Sequence, residues 1–187
     1  MPFGWQLTAP SLAFDLAPGQ SASFDLTITP PAATEARHYR NPLDLHGVVN
    51  GIACSACAGL VQTMPWRTAD GAALEVAGHF IDLPAGPFSV TTEVKIPWNA
   101  PYRIIAQAPR AVRILWDGEL LHSHDGSYGV PAIHRPGPTA ANVSRIIRGW
   151  HTLTVEVAAG APGQLFTCIG DAGTWDWLRN AEFRLPR

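Results

Sequence analysis

Two histidines, His122 and His124, sit one residue apart in "LWDGELLHSHDGSYG", residues 115–129, and are side chains that could do chemistry. On a strand such a pair points one way. It could offer two imidazoles to a metal ion, with His134 as a third ligand. A metal-dependent enzyme built on His122, His124 and His134 is therefore one expectation. The competing expectation is that these imidazoles hydrogen-bond loop backbone near a strand end.

Other chemistries find less support. A cupin-like H-x-H needs a glutamate soon after it, and none follows until Glu156. Cys54 and Cys57 form "CSAC", and Cys168 stands apart. A zinc site would need a second ligand pair, and a thioredoxin-like role would need a βαβ context. Two small apolar side chains in an alanine-rich core segment are the simpler reading. There is no G-x-S-x-G elbow and no phosphate-cradling glycine loop. Glu75, Asp82, Glu93, Glu119 and Asp125 could supply the carboxylate pair of a glycosidase, yet none sits in a motif. No catalytic residue is assigned and no cofactor is expected. Asn142 opens an "NVS" glycosylation sequon, which matters only in a secretory setting.

The seven tryptophans say more. Trp175 and Trp177 flank Asp176, and if extended they face the same way. Flat indoles stack on sugar C–H faces, and carboxylates bind hydroxyls. Trp66, Trp98, Trp175 and Trp177 lie beside turn residues and are the surface candidates. Trp116 and Trp150 lie within strand patterns and read as core.

The elements that must position these groups read as strands. Hydrophobic residues make up 47% of the 187, so a packed core is expected. Charged residues are 15%, and the net charge is −2 with basic residues scattered. That argues against nucleic acid and anionic membranes as partners. No apolar run reaches the roughly 18 to 20 residues of a membrane span. Three cysteines do not make a disulfide framework. The start "MPFGWQLTAP" lacks the pattern of a signal peptide.

Residues 12–29 alternate apolar and polar on both sides of "APGQ", which predicts a hairpin arm over 1–31 that ends at Pro30 and Pro31. Residues 32–51 look irregular, with one helical turn in "AATEARHY". "GIACSACAGLVQTM" reads as a buried strand or a short helix. Strand patterns then recur: "AALEVAGHFIDL", "FSVTTEVKIPW", "YRIIAQA", "AVRILW", "GELLHSH", "WHTLTVEVAA" and "GQLFTCIGD". Asp117-Gly118 predicts a type I′ turn pairing "VRILW" with "ELLHS". Plain alternation from there puts Leu120 with His122 and His124. "TAANVSRIIRG" is the one helix candidate in this half. Many short strands and no long helices predict an all-β fold, an antiparallel sandwich spanning 32–187.

The order "YRIIAQAPRAVRILWDGELL", "VSRIIRGWHTLTVEV", "GQLFTCIGD" resembles the jelly-roll accessory modules of bacterial carbohydrate-active enzymes, of the PA14 and galactose-binding-like type, over roughly residues 87 to 170. The "LAPGQSASFDLTITPP" segment resembles the last hairpin of an Ig-like linker domain. The resemblance implies a jelly roll, non-catalytic binding of an oligosaccharide or polysaccharide, and a secreted or cell-surface setting within a larger protein. The acidic calcium loop of some such modules is not evident. The expected ligand-binding residues are Trp175, Trp177, Asp176, His124, Asp125, Tyr128 and Arg135, provided the two loop regions meet at one end of the sandwich. The alternative is a structural subunit that assembles with identical copies through its N-terminal arm.

Overall fold

The structure is a computed structural model that describes residues 6–8, 15–23, 25–29, 37–38, 40–61, 63–126, 140–172, 176–177 and 181–187. These residues form strands and turns, with no helix among them. The chain divides into two compact units, one of residues 1–34 with 41–59, the other of 35–40 with 60–187. The expected boundary at 31/32 falls outside the described residues.

The first unit holds two separate hairpin sheets. β1 (Gln6–Thr8) pairs with β2 (Thr27–Thr29), Gln6 opposite Thr29. The "APGQ" turn forms as expected: Gln20 N–H donates to the Ala17 carbonyl at 3.0 Å, and Gly19 takes a φ of 81°. That positive φ is what glycine supplies at the third position of a Pro-Gly turn. The strand partner, however, is residues 6–8, and Asp15 and Leu16 of the expected "LAFDL" strand carry no ladder. After β3 (Arg37–His38) come β4 (Arg40–Val49) and β5 (Ile52–Val61), which make the second sheet. Residues 40–49 were expected to be irregular, and 37–38 to lie in a helical turn. Asn50-Gly51 corrects the first expectation. It has φ values of 51° and 79°, the left-handed pair of a type I′ turn.

The second unit is a β-sandwich. Its strands are β3, β6 (Thr63–Thr68), β7 (Ala73–Ala77), β8 (Phe80–Leu83), β9 (Phe88–Ile96), β10 (Ala100–Gln107), β11 (Val112–Trp116), β12 (Glu119–His124), β13 (Ala140–Ile146), β14 (Gly149–Val157), β15 (Gly163–Asp171), β16 (Asp176–Trp177) and β17 (Glu182–Arg184). One antiparallel sheet has the order β12-β11-β14-β9-β17-β3, with β6 also on β9 and β7 on β6. The other has the order β13-β10-β15-β16, with β8 also on β15. From β8 to β15 the chain changes sheet at every connection except β11–β12.

Alternation on the central strands builds the core. Val90, Val94, Ile114, Val155 and Leu165 are fully buried, from both sheets. Each such side chain contributes about 1.5–3 kcal/mol over an exposed one. Thr92 is buried among them, and its hydroxyl donates to the Pro65 carbonyl at 2.8 Å, so the core has no orphan there. The outer face of the large sheet carries paired charges: Lys95 with Glu182 at 2.9 Å, Arg113 with Glu156 at 2.6 Å, and Arg184 with Glu93.

Two further expectations change. Residues 140–146 of "TAANVSRIIRG" are strand β13, laid against β10 with Ala140 opposite Ile105. The open edge of β10 supplies a whole ladder of hydrogen bonds, more than a helix of one or two turns can sustain. In the β11–β12 hairpin the Asp117-Gly118 turn forms, with φ values of 52° and 84°. A bulge then shifts the register, so His122 lies opposite Ile114 while Leu120 lies opposite Leu115. Leu120 therefore turns away from His122 and is 54% exposed. Leu121, at the bulge, packs against the core instead.

Candidate functional site

One end of the sandwich gathers an exposed indole and a carboxylate. The β9–β10 turn carries Pro97, Trp98 and Asn99, and Pro97 stops β9 from continuing. The end of β15 lies beside it, because Tyr102 pairs with Asp171. Trp98 Nε1 donates to Asp171 Oδ2 at 3.3 Å. The Tyr102 hydroxyl donates to the Trp98 carbonyl at 2.6 Å. Tyr102 is fully buried, and its hydroxyl pKa is pushed up to about 12, first by desolvation and then by the negative charge of Asp171. Its proton therefore stays in place to hold the turn. Asp171 is buried, whereas Trp98 is 41% exposed.

Neighbouring turns complete this end. The Asn99 side-chain oxygen accepts from Arg148 N–H at 2.6 Å, which ties in the turn between β13 and β14. Ile147 in that turn is 63% exposed. The ring of His151 stacks on Trp116, with centroids 5.0 Å apart, and closes the core beneath. Its Nδ1 faces Asp117 Oδ2 at 2.7 Å and its Nε2 faces the Ile147 carbonyl at 2.7 Å. An Asp–His couple with Nε2 on a backbone carbonyl orients turns. It does not activate a nucleophile, which would have to occupy that Nε2 position.

Asp176 lies opposite Asp171 on the ladder, and Trp177 opposite Gly170. The backbone of the "DW" pair therefore reaches the Trp98 end. Trp175, Tyr128 and Arg135 lie outside the described residues, as does His134.

His124 and Asp125 lie at the other end. His124 is paired with Val112 and reaches Ala106 of β10, while the "DW" pair neighbours Tyr102, about 13 Å away along that strand. The remainder of both loop regions, residues 127–139 and 173–175, lies outside the described residues. Connections β8–β9, β10–β11 and β14–β15 converge at the His124 end on Arg110. Its guanidinium donates to the carbonyls of Gly86 at 2.6 Å, Gly160 at 3.1 Å and Pro84 at 3.2 Å. Arg110 is 9% exposed, and its Nε is a buried donor without an acceptor among the described residues. It is a structural pin for three turns.

His124 is built into the backbone. His124 Nε2 contacts the Ala106 carbonyl at 2.9 Å, and Nδ1 accepts from Gly126 N–H at 3.2 Å. Neither nitrogen then presents a lone pair to a metal. No group of three or more His, Cys, Asp or Glu side chains able to hold a metal ion occurs among the described residues.

The tryptophans sort differently from the sequence pattern. Trp66 is 3% exposed and belongs to the core, because position 66 falls on the inward face of β6 beside Val76. Trp116 packs against the core as expected. Trp150 is half-buried with the Arg184 guanidinium 3.9 Å from its ring centroid. Trp98 is an exposed indole. Its partners Asp171 and Tyr102 carried no motif. Only their ladder pairing brings them together. The carboxylate candidates are dispersed: Glu75 accepts from Thr63, Asp82 from Gln164, and Glu93 from Arg184.

Comparison of the chain with protein-family models, with curated proteins and with solved structures yields no match.

Proposed function

We propose that this chain is a non-catalytic carbohydrate-binding module, and that its sugar subsite is the sandwich end carrying Trp98. The observation that carries this reading is the exposed indole of Trp98 anchored at Nε1 by the buried carboxylate of Asp171. An indole fixed by its N–H leaves a flat apolar face for the C–H face of a sugar ring. Side chains with an apolar body and a polar tip suit such half-wet surfaces. Arg148 and Asn99, both exposed beside it, are donors and acceptors for hydroxyls. The jelly-roll connectivity and the accessory role belong to the same proposal, supported by the strand and turn order noted above.

The test is a glycan array with the full chain, followed by calorimetric titration of the best glycan. Trp98→Ala should weaken binding by about tenfold or more, equivalent to about 1.4 kcal/mol. No saturable binding by the wild type, or unchanged affinity in a folded Trp98→Ala, would overturn the proposal.

A further inference from the structure

The tip of the β4–β5 hairpin carries a reactive pair. Asn50 and Gly51 are both exposed, with φ values of 51° and 79°. The two-residue turn closes between Val49 and Ile52, which leaves the Gly51 N–H outside the ladder. Among the described residues the Asn50 carboxamide has no hydrogen-bond partner. Asparagine is a thermolabile residue. The backbone nitrogen that follows it can attack its side-chain carbonyl carbon. Glycine in the following position helps most, because it has no Cβ to crowd the approach.

The fold holds the comparable pairs in place. Asp117-Gly118 makes the same kind of turn, but Asp117 Oδ1 accepts from Thr152 N–H at 2.8 Å and Oδ2 faces His151 Nδ1 at 2.7 Å. Asp70, before Gly71, accepts from the Thr68 hydroxyl and from Ala72 N–H at 3.3 Å. Gly126, after Asp125, donates its N–H to His124 Nδ1 at 3.2 Å. The side-chain oxygen of Asn99 accepts from Arg148 N–H at 2.6 Å. Asn41 precedes Pro42, whose nitrogen has no proton to lose. At Asn50-Gly51 neither the side chain nor the nitrogen is tied. The scaffold is slight as well: a lone two-stranded hairpin is marginal in water, and among the described residues this one pairs with no further strand.

We propose that Asn50-Gly51 is a site of spontaneous covalent modification, at which the asparagine becomes aspartate and isoaspartate. The Gly51 nitrogen gives its proton to solvent base and attacks Asn50 Cγ. A bond forms between that nitrogen and Cγ, the Cγ–Nδ2 bond breaks, and Nδ2 takes a proton from water and leaves as ammonia. Water then opens the cyclic imide. Cleavage at Cγ gives aspartate, and cleavage at the main-chain carbonyl carbon gives isoaspartate. The sum is one water taken up and one ammonia released, with no change of oxidation state. Isoaspartate runs the main chain through Cβ and Cγ, so the two-residue turn gains a backbone atom. The type I′ geometry is then lost, and with it the turn that fixes the hairpin register.

The test ages the full chain in mildly alkaline buffer at body temperature, beside a synthetic peptide of residues 45–56. Peptide mapping by mass spectrometry follows the gain of about 1 Da, and chromatography separates isoaspartate from aspartate. Conversion should start at Asn50 and run within about tenfold of the peptide's rate, since a frayed hairpin tip opens at little cost. Asn99 and the three Asp-Gly pairs should stay unchanged over the same period. Hydrogen exchange over residues 40–61 should be faster in the aged chain. Asn50→Asp adds the same charge without the extra backbone atom and should exchange like the fresh wild type. An Asn50 protected by more than about tenfold relative to the peptide overturns the proposal. So does conversion that starts at Asn99 or at an Asp-Gly pair. Equal exchange before and after conversion, or an Asn50→Asp variant that exchanges as fast as the aged chain, overturns the loss of the turn.

Discussion

His124 on β12 and Ala106 on β10 are joined across the two sheets by a hydrogen bond of 2.9 Å from Nε2 to the carbonyl oxygen. Nδ1 accepts from Gly126 N–H, so the proton sits on Nε2 and the ring donates to Ala106. One side chain thus links the sheets and shapes the turn after β12. His124→Ala should lower stability by about 1–2 kcal/mol, and His124→Gln, which keeps a donor, should recover part of it. Urea unfolding followed by tryptophan fluorescence measures this. An unchanged midpoint in His124→Ala would show that the link adds nothing.

Gly126 and Arg110 make a second prediction. Gly126 has a φ of 105°, and a methyl there would stand 2.9 Å from the Arg110 carbonyl carbon. Gly71 has a φ of 90° with open space around it. Both alanine variants incur backbone strain, of about 1–3 kcal/mol. Only Gly126→Ala also meets backbone, so it should melt clearly lower than Gly71→Ala. Equal melting temperatures would contradict the packing at this end.

Tyr102 predicts an alkaline limit. Its pKa is raised from 10.0 in the unfolded chain to about 12 in the fold. The stability linked to it is complete below pH 10 and is lost as pH rises toward about 12, because the unfolded state releases its proton first. Tyr102→Phe removes this dependence together with the bond to Trp98. Thermal melts across that range should fall less steeply in the variant than in the wild type.

His79 predicts the acid side. Burial lowers its pKa from 6.5, and the bond from Nδ1 to the Thr167 carbonyl opposes that in part. A neutral ring favoured by the fold means stability that is present above pH 6.5 and lost as pH falls below it. His79→Asn, which keeps a donor for Thr167, should flatten the stability profile between about pH 7 and about pH 5. A profile as steep as that of the wild type would assign the acid sensitivity elsewhere.

Much of the strand order was legible because alternation and turn chemistry are local. Asp117-Gly118 closes its hairpin as its residues dictate, and β9 and β14 follow their apolar alternation. Asn50-Gly51 carried the same local signal and was readable in "VVNGIA". The candidate site was less legible. Trp98 stood out beside Pro97, but Asp171 lies 73 residues away in sequence and meets it only through β10.

The sequence by itself determined an all-β chain, its turns, and the apolar faces that build the core, since each follows from backbone preference and period two. Tertiary structure alone decided the rest. A bulge turned Leu120 away from His122. The free edge of β10 drew residues 140–146 into a strand. Ladder pairing set His124 and the "DW" pair at opposite ends. Each of these depends on which strands become neighbours. Strand neighbours are chosen by burying faces and satisfying edges across the whole domain, and no local window of sequence contains that choice.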